Sequence, residues 1–172
     1  MKNIFVEKVT LNVGVGGPGD ALDHAITLLT RVSGVHAVAT KAGPSMRIPS
    51  WGVRPRLKIA TKVTVRGEHA VALLKRLFVA HDSLISPHAF DVRGNFSFGI
   101  PEYIDIPGVE YDPQIGIIGL EAAVTLQRPG YRVKRRRMYQ RQLPSRHRIG
   151  RDEAMAYITR EFNVTIAEVR EE

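Results

Sequence analysis

KVTLNVGV, residues 8–15, alternates two kinds of side chain: Val9, Leu11, Val13 and Val15 are apolar, while Lys8, Thr10, Asn12 and Gly14 are not. A period of two is the signature of a β-strand with one buried and one wet face. LKIATKVTVR, residues 57–66, repeats the pattern, with Leu57, Ile59, Val63 and Val65 on one side and Lys58, Ala60, Lys62, Thr64 and Arg66 on the other. Residues 95–100 and 120–127 alternate in the same way. A doubly wound parallel sheet is buried on both faces and reads as near-continuous apolar runs, so these strands predict an antiparallel or mixed sheet covered on one side only.

Helices supply the cover. Residues 20–33 place Leu22, Ile26, Leu29 and Val32 on one stripe and stop at Ser33-Gly34. Residues 68–80 do the same with Ala70, Leu73, Leu74 and Leu77, and residues 151–162 with Met155, Ile158 and Phe162. In the last helix Asp152 and Glu153 sit in the first turn, where the helix dipole favours negative charge. Short strands are expected near 36–41 and 163–167. The predicted fold is α+β: a two-layer antiparallel or mixed sheet with helices on one face and an open basic face. No repeat, low-complexity tract or linker divides the 172 residues, so a single domain over 1–172 is expected.

Charge is segregated along the chain. Residues 41–66 hold seven basic side chains and no acid, and residues 128–151 hold ten and no acid. The formal net charge is only +8, so the rest of the chain is acidic. Two cationic segments on an acidic body repel themselves until a polyanion neutralises them, which points to nucleic acid. The first segment contains a predicted exposed loop, about 43–55, where Gly43, Pro44, Pro49, Gly52 and Pro55 deny regular structure. It carries Trp51 among Arg47, Arg54 and Arg56, a combination suited to stacking and phosphate contact.

Other chemistries lack the residues they need. The chain has no cysteine, which removes disulfides, thiolate nucleophiles and cysteine zinc sites. Gly14, Gly16 and Gly19 satisfy GxGxxG between a strand and a helix, but no acid lies about 20 residues on to hold a ribose, and Pro18 deletes a backbone donor. Glu102, Asp105, Glu110 and Asp112 share a segment broken by proline and glycine, with no second cluster to close a catalytic or metal site. The histidines show no metal-ligand spacing. No apolar run approaches the roughly 18 residues that span a bilayer, so neither a membrane partner nor a cofactor is expected.

What remains is the outer face of the sheet. Lys8, Thr10 and Asn12 on one strand and Lys62, Thr64 and Arg66 on another, with Lys41 nearby in sequence order, offer cations and short donors without stacking aromatics. Such a surface reads phosphates and 2′-hydroxyls. The residues alone leave open a free-standing RNA-binding protein or RNA chaperone using that face.

Six motifs, in order, narrow the choice: LNVGVGGPGD (11–20), TKA (40–42), VTVRG (63–67), GNFSFGIPEYIDIPGVEYDPQIGIIGLE (94–121), RPGY (128–131) and HRIGRDEAM (147–155). From about residue 3 to 166 the chain resembles the fifth large-subunit ribosomal protein family in its archaeal and eukaryotic form. The resemblance implies a non-enzymatic, cytoplasmic ribosomal protein that anchors 5S ribosomal RNA in the central protuberance of the large subunit. Its implied partners are 5S rRNA, large-subunit rRNA, peptidyl-site tRNA and neighbouring ribosomal proteins, among them a bridge partner on the small subunit. The outward, basic face nominates Lys8, Thr10, Asn12, Lys41, Lys62, Thr64 and Arg66 for rRNA; the resemblance places Asn12, Thr64 and Arg66 at or near 5S rRNA and turns Arg47, Trp51, Arg54 and Arg56 toward tRNA. Two positions depart from the family pattern: Val35 stands where the family often has Gln, and Gly150 where a serine helix cap is common.

Overall fold

A computed structural model describes residues 1–167. The strands are β1 (Phe5–Gly14), β2 (Val38–Lys41), β3 (Lys58–Arg66), β4 (Leu84–Ile85), β5 (Phe96–Ile100), β6 (Leu120–Gln127) and β7 (Thr165–Ile166); the helices are α1 (Asp20–Ser33), α2 (Glu68–Ala80), α3 (Arg132–Arg135) and α4 (Arg151–Phe162). The fold is α+β, with a five-stranded antiparallel sheet in the order β2-β3-β1-β6-β5 and a second, two-stranded parallel sheet of β4 and β7. β4, α3 and single 3-10 turns at 87–89, 103–105 and 145–147 were not legible in the sequence. All five are too short to complete a hydrophobic period.

The described chain packs as two compact units, one of residues 10–65 and 99–122, the other of residues 1–9, 66–98 and 123–167. In the first unit α1 buries Leu22, Ala25, Leu28, Leu29 and Val32. Gly34 closes the helix in the left-handed region (φ 68°), its N–H donating to Thr30 O at 2.9 Å, where a side chain would be strained. Leu11, Val13, Val63, Leu120 and Ala122 are buried from the strands. Thr61 is buried among these apolar positions and donates its hydroxyl to Val38 O at 3.4 Å, which lets a polar residue occupy the inner face. Tyr103 is also buried, and its hydroxyl accepts the Asp112 N–H at 3.0 Å.

The second unit is built on aromatics. α2 buries Ala70, Leu73, Leu74, Leu77 and Phe78. The Phe78 ring stacks with Phe98 at 5.5 Å and meets the Phe162 edge at 5.3 Å, and Phe90 lies 4.9 Å from Phe96. α4 contributes Ala154 and Ile158. Its first turn has no side-chain cap at Gly150, and Glu153 reaches back to accept the Gly150 N–H at 3.2 Å.

Candidate nucleic-acid interface

In the first unit, the antiparallel pairing of β1 and β3 follows from two contacts. Val15 N–H and Gly16 N–H both donate to Ile59 O, at 3.0 and 2.8 Å, and Thr10 Oγ1 lies 3.5 Å from Thr64 Oγ1. One register satisfies both, and it sets Asn12 opposite Lys62. Because Leu11, Val13, Thr61, Val63 and Val65 are buried, the alternation turns Thr10, Asn12, Lys62 and Thr64 the other way. Lys62 is exposed and the three neutral residues are half-buried. The same bonds settle the glycine-rich turn at 14–19. Two of its amides are committed to Ile59 and are not free to cradle a phosphate, and its sheet is antiparallel.

Lys41 ends β2, and its pairing partner across the ladder is Lys58; both are exposed. Directly opposed like charges destabilise a sheet. No acid lies in 41–66 and no ion pair among the described residues involves either lysine, so an external anion is the natural counterion.

The loop predicted at 43–55 is more regular than its composition suggests. Ile48 and Val53 exchange backbone hydrogen bonds of 3.0 and 3.1 Å, and Pro49–Trp51 forms a 3-10 turn closed by Gly52 at φ 65°. At its base Ala42 N–H donates to Leu57 O at 2.7 Å. Proline at the start of the turn and glycine at its end permit this short hairpin. Trp51 stands at the tip with 76% of its surface exposed, and Arg47, Arg54 and Arg56 are exposed with it.

Asp112 has a structural post in this unit. Its carboxylate takes Arg31 Nη1 at 2.7 Å and the Gln114 N–H at 3.0 Å, and these bonds, with the Arg31 hydrogen bond first, hold its carboxyl below the usual range. No group of three His, Cys, Asp or Glu is poised to hold a metal among the described residues.

In the second unit lie Lys8, half-buried, and Arg66, exposed. Sequence reasoning missed their neighbour Glu7. Glu7 and Lys8 are consecutive half-buried residues that interrupt the alternation between Val6 and Val9. The Glu7 side chain is only 10% exposed and forms a two-pronged ion pair with Arg135. That hydrogen-bonded pairing, helped by the charges of Arg135, Lys8 and Arg66, draws its carboxyl below its ordinary value against the opposing effect of burial. The sequence signal was a lone acid inside a strand whose other outward positions are basic or neutral.

The ten cations of 128–151 divide into two groups. Arg128 is 5% exposed; it pairs with Glu153 at 2.9 Å and donates to Arg148 O at 3.4 Å. Arg135 holds Glu7, Arg136 donates to Tyr139 O, Arg148 to Leu143 O and Arg151 to Pro87 O. Arg128, Arg135 and Arg151 fasten the segment to its surroundings and Arg136 and Arg148 close it on itself, whereas no such bond holds Arg132, Lys134, Arg137, Arg141 and Arg146 among the described residues, and all five lie exposed.

These features define a class: a small, basic α+β protein whose outward strand positions carry cations and short hydrogen-bond donors. The family model for the C-terminus of the fifth large-subunit ribosomal protein, uL5, matches residues 58–165. The large ribosomal subunit protein uL5 of Nanoarchaeum equitans is 51% identical over 167 residues, covering 96% of this chain and 97% of the relative. Those of Nitrosopumilus maritimus and Sulfurisphaera tokodaii are 47% and 45% identical, covering 97% and 98% of this chain and 95% and 94% of their own lengths. The chain belongs to the ribosomal protein uL5 family, in its archaeal form. It is therefore a structural protein of the cytoplasmic ribosome and not an enzyme.

Proposed function

We propose that the chain binds 5S ribosomal RNA in the central protuberance of the large subunit through Lys8, Thr10, Asn12, Lys41, Lys62, Thr64 and Arg66. Arg47, Trp51, Arg54 and Arg56 then reach peptidyl-site tRNA, with large-subunit rRNA and neighbouring ribosomal proteins, including a small-subunit bridge partner, around them. The observation that carries this reading is the β1–β3 pair. Thr10 and Thr64 share an outward hydroxyl contact with Asn12 and Lys62 beside it, and among the described residues no ion pair involves Lys41 or Lys58. Hydroxyls and an amide suit 2′-hydroxyls, lysines suit phosphates, and the motif set supplies 5S rRNA as the RNA.

The test is titration of a 5S rRNA transcript at several salt concentrations. Lys62→Ala or Arg66→Ala should weaken binding and lower the log-log salt slope by about 0.7–0.9, one phosphate contact each. Asn12→Ala or Thr64→Ala should cost on the order of 1 kcal/mol per hydrogen bond and leave the slope unchanged. Unaltered affinity in all four variants would overturn the assignment. So would recovery of the native protein only in fractions free of large subunits.

A further inference from the structure

Between the exposed cations of 128–151 the chain presents two large apolar side chains to water: Met138 is 70% exposed and Tyr139 is 79% exposed. Their segment is closed on itself. Arg136 N–H donates to Arg132 O at 2.9 Å, Arg141 N–H to Val133 O at 3.3 Å, and Arg136 Nε to Tyr139 O at 2.8 Å. Arg135 ties its base to Glu7. Tyr139 is held in the left-handed region at φ 53°, an uncommon setting for an aromatic residue. The phenol ring is thus presented from a fastened loop.

Three partners could take such a ring. Two side chains fall far short of the roughly 1,000 Å² that a specific protein interface buries. A membrane surface needs an amphipathic helix with a broad apolar face, and α3 is four residues long with Val133 its only apolar member. Unpaired nucleic acid meets both features together. Bases stack on aromatic rings, while Arg132, Lys134, Arg137 and Arg141, the exposed chain neighbours of Tyr139, meet the flanking phosphates. A base inside a duplex is already stacked on both faces and offers the ring nothing.

We propose that Tyr139, with Met138 beside it, is a stacking platform for an unpaired RNA base, and that the surrounding exposed arginines grip the phosphates on either side. This rests on the reading that the chain binds RNA, but not on the residues of β1 and β3 that carry that reading.

The experiment uses the full-length protein and three probes: a short single-stranded RNA, the same sequence fully paired, and a 5S rRNA transcript. Tyr139→Ala should weaken single-strand binding by on the order of tenfold with no change in salt slope. It should leave duplex binding as it was. Tyr139→Trp in a Trp51→Phe background should bind the single strand as the Trp51→Phe protein does, and the fluorescence of its single tryptophan should be quenched by the single strand and not by the duplex. Arg137→Ala should instead lower the slope by about 0.7.

If Tyr139→Ala binds the single strand like the parent, or loses single strand and duplex equally, the platform is overturned even when 5S rRNA binding persists. Conversely, loss of the 5S reading with the single-strand discrimination intact would remove the proposed function and leave the platform standing. Melting curves of each variant show that a lost affinity is not a lost fold.

Discussion

Gly94 shows how closely one position can constrain this molecule. It is buried at φ 73°, and a Cβ there would lie 2.7 Å from Ile149 Cγ2 and 3.2 Å from Gly150 O. Gly94→Ala therefore combines backbone strain with a clash against the buried Ile149 side chain and a tight approach to a backbone oxygen. It should destabilise the fold by about 2 kcal/mol or more, read as a lower urea midpoint with an unchanged m-value. Glu7 makes a prediction in pH. Its carboxyl is drawn below the ordinary value, so its contribution to stability is present above that value and disappears as pH falls through the lowered one. Glu7→Gln should cost about 1 kcal/mol at neutral pH, since the Glu7 end of the pair is largely covered and the Arg135 end is not. The difference from the parent should shrink as pH falls through that lowered value, where the parent's own carboxyl protonates. At neutral pH the variant should also bind 5S rRNA more tightly, because Lys8 and Arg66 lose a nearby negative charge. Equal melting temperatures for parent and variant at pH 7 would show that the pair contributes nothing.

Among the elements, the hairpin at 43–55 and the β1–β3 pair divide the proposed labour. The hairpin closes on its own hydrogen bonds between Ile48 and Val53, above a stem at Ala42 and Leu57. Deleting residues 46–53 should therefore leave the stem in place. Affinity for 5S rRNA should stay within about twofold, a change of ~0.4 kcal/mol, while tRNA retention on ribosomes carrying the variant weakens. Loss of 5S binding with tRNA retention intact would reverse the assignment. The long elements were legible in the sequence because each completes several periods. α1, α2, α4, β6 and the alternating parts of β1, β3 and β5 all fall where the spacing of apolar residues predicts. β4 and β7 have two residues each and pair across about 80 residues of chain, Leu84 with Thr165 and Ile85 with Ile166, so no local pattern could reveal their partnership. The hairpin inside the predicted loop was hidden for another reason. Its order comes from backbone bonds permitted by proline and glycine, and composition reports only that those residues break longer elements.

For the whole chain, β1, β3, β5 and β6 each contribute residues to both compact units. Unravelling one unit therefore frays strands of the other, and we expect a single cooperative domain. Urea transitions followed by far-UV and near-UV circular dichroism should coincide, whereas two separated midpoints would mean two independently folding parts. The sequence by itself determined the α+β class, the outward placement of Thr10, Asn12, Lys62 and Thr64, and the segregation of charge. All three depend on period and composition, which are local properties of the chain. Only the tertiary structure decided which cations are available. Arg128 and Arg137 belong to one basic run, yet the first is buried against Glu153 and the second is exposed. Only the fold brings Glu7 to Arg135, 128 residues away. An arginine's role depends on whether a carboxylate or carbonyl reaches it, and that partner comes from a distant part of the chain whose position is set by packing.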